Sequence, residues 1–109
     1  MLKVTKNTLV YVASAPVDFR KGIDSLAQLC RESFGQDPMG GSIFLFCNRR
    51  RTSVKILVYD GQGFWLCMKR LSLGRWNFWP RPPDGEGSGL LVGSRELSYL
   101  LSNGQEVTK

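Results

Sequence analysis

Apolar residues fall in short runs whose spacing switches from alternation to three- and four-residue steps and back. Thr8 to Ala13 is rich in β-formers (Leu9, Val10, Tyr11, Val12) and is followed by Pro16, which predicts a strand ended by a turn. From Asp18 to Phe34, residues Ile23, Leu26, Ala27, Cys30 and Phe34 recur at helical spacing. Asp18 stands where an N-cap is expected and Gly35 where a left-handed residue would stop the helix. Residues 36–41 concentrate turn formers and predict a loop. Three strands are then expected, Ser42 to Cys47, Val54 to Tyr59 and Phe64 to Leu71. The connections between them, 48–53 and 60–63, are short enough to make them antiparallel neighbours.

If Asp60 pairs with Gly63, Tyr59 faces Phe64, Val58 faces Trp65, Leu57 faces Leu66 and Ile56 faces Cys67. One face of this hairpin then carries Val54, Ile56, Val58, Trp65, Cys67 and Lys69. The other carries Lys55, Leu57, Tyr59, Phe64, Leu66, Met68 and Arg70. The β-branched face is assigned to the helix. The second face, mixing rings and cations, suits either an exposed binding surface or a sheet covered on both sides. Beyond Trp79 the chain becomes poor in apolar side chains until Leu90. Residues 1–80 are therefore expected to form the compact domain, 81–93 a flexible Pro/Gly-rich connection, and 94–109 a short helix with a disordered tail. Ser94 is the expected cap of that helix, Leu97, Leu100 and Leu101 its apolar stripe, and Asn103-Gly104 its stop. A helix this short must dock on the domain or on a partner. The expected fold is a small α+β domain: an antiparallel sheet of four to five strands, one helix on a face and a short C-terminal helix.

Composition narrows the chemistry. The chain has 109 residues, 42% hydrophobic and 22% charged, as in an ordinary single globular domain. It contains no histidine, which removes the usual neutral-pH base and the usual nitrogen ligand for zinc. Cys30, Cys47 and Cys67 show neither paired metal-site spacing nor a disulfide framework, so they read as buried thiols of a cytoplasmic protein. No run approaches the length of a membrane span, and no cofactor motif is present: Gly40-Gly41 and Gly61-Gln62-Gly63 read as turns.

The net charge is +6, from 15 Lys and Arg against nine Asp and Glu. It is concentrated between Asn48 and Arg81, where Arg49, Arg50, Arg51, Lys55, Lys69, Arg70, Arg75 and Arg81 face Asp60 alone. Six of the twelve aromatics lie in the same segment: Tyr59, Phe64, Trp65, Trp76, Phe78 and Trp79. Arginine forks engage phosphates bidentately and ring faces stack on unpaired bases, so the composition suits nucleic acid. For the rings the core is the preferred reading, since so small a domain must fill itself from them. For Arg49-Arg50-Arg51 binding is preferred: like charges at a turn repel by about a few tenths of a kcal/mol per pair, an arrangement easier to understand if phosphates or acidic groups share the site. The candidate DNA contacts are Arg49, Arg50, Arg51, Lys55, Lys69, Arg70 and Arg75.

Asp18, Asp24, Asp37 and Asp60 are the conceivable ligands of a two-metal phosphoryl-transfer site. Each has a simpler structural role as a cap, a first-turn acid or a turn former, and no metal or catalytic residue is assigned.

The ordered set Asp18-Phe19-Arg20-Lys21-Gly22-Ile23-Asp24, Asp37-Pro38, Gly41, Phe44, Phe46, Asn48-Arg49-Arg50, Lys55-Ile56-Leu57, Asp60-Gly61, Gly63-Phe64-Trp65-Leu66, Lys69-Arg70-Leu71, Gly74-Arg75 and Trp79-Pro80 resembles the accessory protein of insertion sequence 66 transposons. That family is often labelled Orf2-like or TnpB, and it is distinct from the RNA-guided nucleases that share the second label. The resemblance spans Leu9 to Pro80, with mild departures at Phe19, Ser25, Gly40, Tyr59 and Ser72. It implies a non-catalytic factor in DNA transposition, encoded beside a larger transposase that carries the catalytic acids. The expected partners are transposon-end DNA and that transposase, with no membrane. The alternative expectation is a protein-interaction adaptor for the transposase, using the aromatic sheet face and the C-terminal helix, with no DNA specificity of its own.

Overall fold

The computed structural model describes residues 7–80 and 89–103. Its elements run β1 (Val10–Ala13), α1 (Ile23–Phe34), β2 (Ile43–Cys47), β3 (Ser53–Tyr59), β4 (Phe64–Arg70), β5 (Gly89–Val92) and α2 (Ser94–Leu101). The five strands form one sheet in the order β4-β3-β2-β1-β5. The two hairpins expected from the short connections are present, and Tyr59↔Phe64, Val58↔Trp65, Leu57↔Leu66 and Ile56↔Cys67 pair in the expected register. The sheet is mixed rather than antiparallel throughout. β1 and β2 run parallel, because α1 carries the chain back to the starting end of the sheet before β2 begins. No described helix is long and apolar enough to cross a membrane.

Both faces of the sheet are covered at its centre, which explains why all five residues of the central strand β2 are inaccessible while β4 stays partly exposed. One face presents Ala13, Phe44, Phe46 and Leu57 to Leu26, Ala27 and Cys30 of α1. Tyr11, Phe34, Phe44 and Phe46 stack there with ring centroids 5.5–6.2 Å apart. The other face presents Val10, Val12, Ile43, Leu45, Cys47, Val54 and Val58 to Trp76, Trp79, Leu97 and Leu100. The helix assignment made from the hairpin alone is thus reversed. α1 covers the face of Leu57, Phe64 and Leu66, while the β-branched face lies under α2 and the 71–80 segment. Face composition separated the two sides but carried no information on which cover lay over which.

The core continues past Pro80, contrary to the expected boundary. Gly89–Val92, placed in the connection, form an edge strand paired antiparallel to β1. Leu97 and Leu100 join the same apolar cluster as Val10 and Leu45. This follows from the apolar area of the β-branched face, which α1 cannot reach. The rest of the expected connection, 81–88, and the tail from Gln105 lie outside the described residues. Trp76 and Trp79 hold the crossing segment down. Their indole N–H groups donate to the Leu100 and Ala13 carbonyls, each at 2.6 Å.

Helix ends also differ from expectation. α1 begins after Gly22, with no side-chain cap, and Asp18 lies in the preceding loop. Gly35 stops the helix as expected at φ 63°, a conformation that costs a residue with a Cβ about 1 kcal/mol. Ser94 is the first residue of α2 rather than its cap, which is Gly93; Ser102 and the left-handed Asn103 (φ 56°) follow its last turn. Cys30 and Cys47 are buried, and Cys67 is half-buried. Burial pushes the Cys30 thiol up to about 12 and Cys47 to about 11.

Replacing Trp76 by Phe removes a buried hydrogen bond and leaves a small cavity. The expected loss is about 2 kcal/mol of stability, read as a lower urea midpoint with native secondary structure retained. An unchanged midpoint would mean that the strap is not anchored through this indole.

A basic edge as candidate nucleic-acid interface

The topology gathers the arginines. β1 and β2 end, β3 begins and β4 ends at the same edge of the sheet, so the loops 14–22, 48–52 and 71–75 emerge together. Backbone hydrogen bonds join them: Val17 N–H to the Cys47 carbonyl at 2.9 Å, Leu71 N–H to Thr52 at 2.9 Å, and Trp76 N–H to Arg51 at 2.8 Å. Arg49, Arg50 and Arg51 lie in the β2–β3 turn, Arg70 ends β4 opposite Ser53, and Arg75 lies in the loop after it. Arg49, Arg50, Arg70 and Arg75 are exposed and Arg51 is half-buried.

The β2–β3 turn is built by Asn48. Its Oδ1 accepts the Thr52 and Ser53 amides at 2.9 and 3.2 Å, and its Nδ2 donates to Thr52 Oγ1 at 2.9 Å. The Arg51 amide closes the turn onto the Asn48 carbonyl at 3.1 Å, leaving Arg49 and Arg50 at its tip. Arg51 has φ 58°, a left-handed conformation that a glycine would adopt without strain. The turn therefore keeps a third cation where local energetics favour its loss.

Two candidate contacts are used otherwise. Lys55 Nζ donates to the Phe19 and Lys21 carbonyls at 2.7 and 3.0 Å and lies 4.9 Å from the Phe19 ring centre. Its ammonium secures the loop leading into α1. Lys69 Nζ donates to the Leu101 carbonyl at 2.6 Å, satisfying the end of α2 where the helix dipole favours a cation. The structure thus brings Arg49, Arg50, Arg51, Arg70 and Arg75 together at one edge and gives Lys55 and Lys69 internal partners.

Sequence reasoning missed the contribution of the 14–22 loop. Pro16, Val17 and Asp18 line a cleft of about 240 Å³ with Arg49, so this loop borders the arginine turn and adds exposed Lys21 to the edge. The signal was the length of the helical segment: a helix between neighbouring strands returns the chain to where β2 starts, which places the loop after β1 beside the loop after β2. Asp18 is the acid of this loop. The Arg20 side chain binds it, with Nη2 to Oδ2 at 2.6 Å, and these hydrogen bonds hold its carboxyl down at about 2.

The aromatics do not accompany the arginines as they do in sequence. Trp76 and Trp79 are core residues. Tyr59, Phe64 and Trp65 lie at the opposite edge around the Asp60 turn, where Asp60 Oδ2 accepts the Trp65 indole at 2.8 Å and Oδ1 accepts the Gln62 and Gly63 amides. These bonds, from Gln62 first, lower the Asp60 carboxyl below its ordinary range. The four aspartates are dispersed. Asp18 and Asp24 lie near the start of α1, Asp37 and Asp60 at the far edge, and among the described residues no three His, Cys, Asp or Glu side chains gather as a metal site.

Arg51→Gly is expected to raise stability by about 0.5–1 kcal/mol by relieving the left-handed strain. A chemical-denaturation series checks this; a destabilised variant would show that the side chain holds the turn together.

Comparison with known proteins gives one family. Residues 8–108 match the family described as IS66 Orf2 like protein. Two proteins of Sinorhizobium fredii (strain NBRC 101917 / NGR234), named uncharacterized protein y4hO and uncharacterized protein y4jC, are 37% and 32% identical over 102 residues. These alignments cover 94% of this chain and 85% and 84% of theirs. No solved structure matches.

Proposed function

The chain belongs to the IS66 Orf2-like protein family, which implies an accessory role in transposition, and from that premise we propose that it acts by binding DNA through the basic edge. The observation that carries this reading is the convergence of Arg49, Arg50 and Arg51 of the β2–β3 turn with Arg70 at the end of β4 and Arg75 in the loop after it. Asp18, the acid beside them, is already held by Arg20. Five guanidinium groups on neighbouring loops suit a ligand with closely spaced phosphates, because each fork takes two oxygens and each contact releases condensed counterions. The reading is of a factor that holds or organises DNA for the transposase, in keeping with the dispersal of Asp18, Asp24, Asp37 and Asp60 among the described residues. Transposon-end DNA is the expected target.

A fluorescence-anisotropy salt series on the element's terminal duplex, with a scrambled duplex alongside, tests this. Arg49→Glu combined with Arg50→Glu should weaken binding at least tenfold and make the log-log salt slope shallower by about 2. Equal affinity of wild type and variant would remove the edge from DNA binding.

A second reading, an adaptor for the transposase, is favoured by a groove of about 450 Å³ beside α2. Phe78, Pro80, Val92, Tyr99 and Leu100 line it together with the charged Arg95 and Glu96, and the Phe78 and Tyr99 rings meet at its side with centroids 5.5 Å apart. Tyr99→Ala should then reduce capture of the purified transposase while leaving duplex affinity intact. Undiminished capture would discard the groove as its contact.

A further inference from the structure

The separation of rings from arginines has a bearing on which form of DNA is held. Proteins that hold single strands combine a cationic path with ring faces on which bases stack, each worth about 1–3 kcal/mol. At the basic edge such faces are buried or, for the half-buried Phe19, already engaged by a cation. Phe19 has the Lys55 ammonium against its ring, and Trp76 and Trp79 are buried with their indole N–H groups bound to backbone carbonyls. Trp65, which is exposed, lies near the far end of β4, five positions before Arg70, and is tied to Asp60. The exposed Phe78–Tyr99 pair borders the α2 groove, which includes none of the five arginines of the basic edge; the one arginine that lines it, Arg95, does so together with the acid Glu96.

We infer that the ligand of the basic edge is double-stranded DNA held through its phosphates, in preference to single-stranded DNA. This rests on the DNA-binding reading above and narrows it. With stacking removed, affinity follows charge density. A duplex releases more counterion per neutralised phosphate, with a log-log slope of about −0.9 each against about −0.7 for a single strand. For five contacts the difference amounts to about tenfold tighter binding of the duplex at 0.1 M salt. The Asn48-braced turn adds to this, since a backbone already held in place meets the fixed phosphate spacing of a duplex without the ordering that a single strand needs on binding.

The test measures anisotropy of the full chain with a labelled 20-nucleotide single strand and the same sequence as duplex, from 0.05 to 0.3 M salt, for wild type and for Trp65→Ala and Tyr99→Ala. The expected result is duplex binding about tenfold tighter at 0.1 M, with a steeper salt slope, and unaltered by either ring substitution. Single-strand binding as tight as or tighter than duplex binding would overturn the inference and leave the DNA-binding reading standing. Loss of affinity on removing Trp65 or Tyr99 would likewise overturn it, by placing bases on those rings. Absence of binding to both forms would overturn the DNA-binding reading itself.

Discussion

Trp76 makes two hydrogen bonds on which both the core and the basic edge depend. Its indole N–H reaches the Leu100 carbonyl under α2, and its backbone N–H reaches the Arg51 carbonyl in the arginine turn. The first bond helps close the β-branched face of the sheet. That face cannot be left open, since Val10, Val12, Leu45 and Val54 contribute to it and are all fully buried. α2 has eight residues and is too short to persist alone, so it exists because this face and the tryptophan strap receive it. The second bond fixes where the arginine turn sits relative to the strap. One residue thus serves the core through its side chain and the charged surface through its backbone.

The concentration of charge at one edge is a consequence of topology rather than of sequence proximity alone. Arg49 and Arg75 are 26 positions apart, and Lys21 lies 28 positions before Arg49, yet all belong to loops that leave one edge. Such crowding is unfavourable in the free protein, and the fold shows two means of containing it. Lys55 and Lys69 have their ammonium groups on backbone carbonyls, where they anchor a loop and a helix end. Arg20 is matched by Asp18. The arginines left over carry the edge's net charge, and Arg51 does so from a strained backbone. Among the described residues no acid forms an ion pair with these arginines, so the strained turn and the crowded charge coincide at one place in the fold.

Local pattern carried the strands, the β3–β4 register and the helical stripe of Leu97, Leu100 and Leu101, because each rests on short-range rules of alternation, turn length and helical spacing. The parallel pairing of β1 with β2 and the addition of β5 depend on which strands meet after a long excursion, which no local period encodes. Gly89–Val92 is four residues long and follows a segment rich in Pro and Gly, so its strand character comes from β1 beside it. The side of the sheet taken by α1 was misjudged for a related reason. A sheet covered on both sides offers two apolar faces, and ring content did not mark either as the helix side. At the basic edge, the arginines of the turn were legible as a charge run, whereas the internal bonding of Lys55 and Lys69 was not, because a lysine reads the same whether its amine meets water or a carbonyl. Interleaving of rings with cations in sequence was misleading, since alternate ends of a seven-residue strand lie about 20 Å apart.

The family match reaches residue 108, past the strap, the fifth strand and α2. The curated relatives align over 94% of the chain, so the resemblance is not confined to the basic hairpin. This agrees with a fold in which the C-terminal part closes the core that displays the arginines. A hairpin with the same arginines but no cover would expose the β-branched face and lose the bond from Trp76 to Arg51. Its charges would then be free to spread apart, and a phosphate ligand would have to gather them at an entropic cost of about 0.5–1.5 kcal/mol per side chain. The C-terminal part of the chain therefore contributes to the candidate interface by helping to hold the backbone of the arginine turn in place before any ligand arrives.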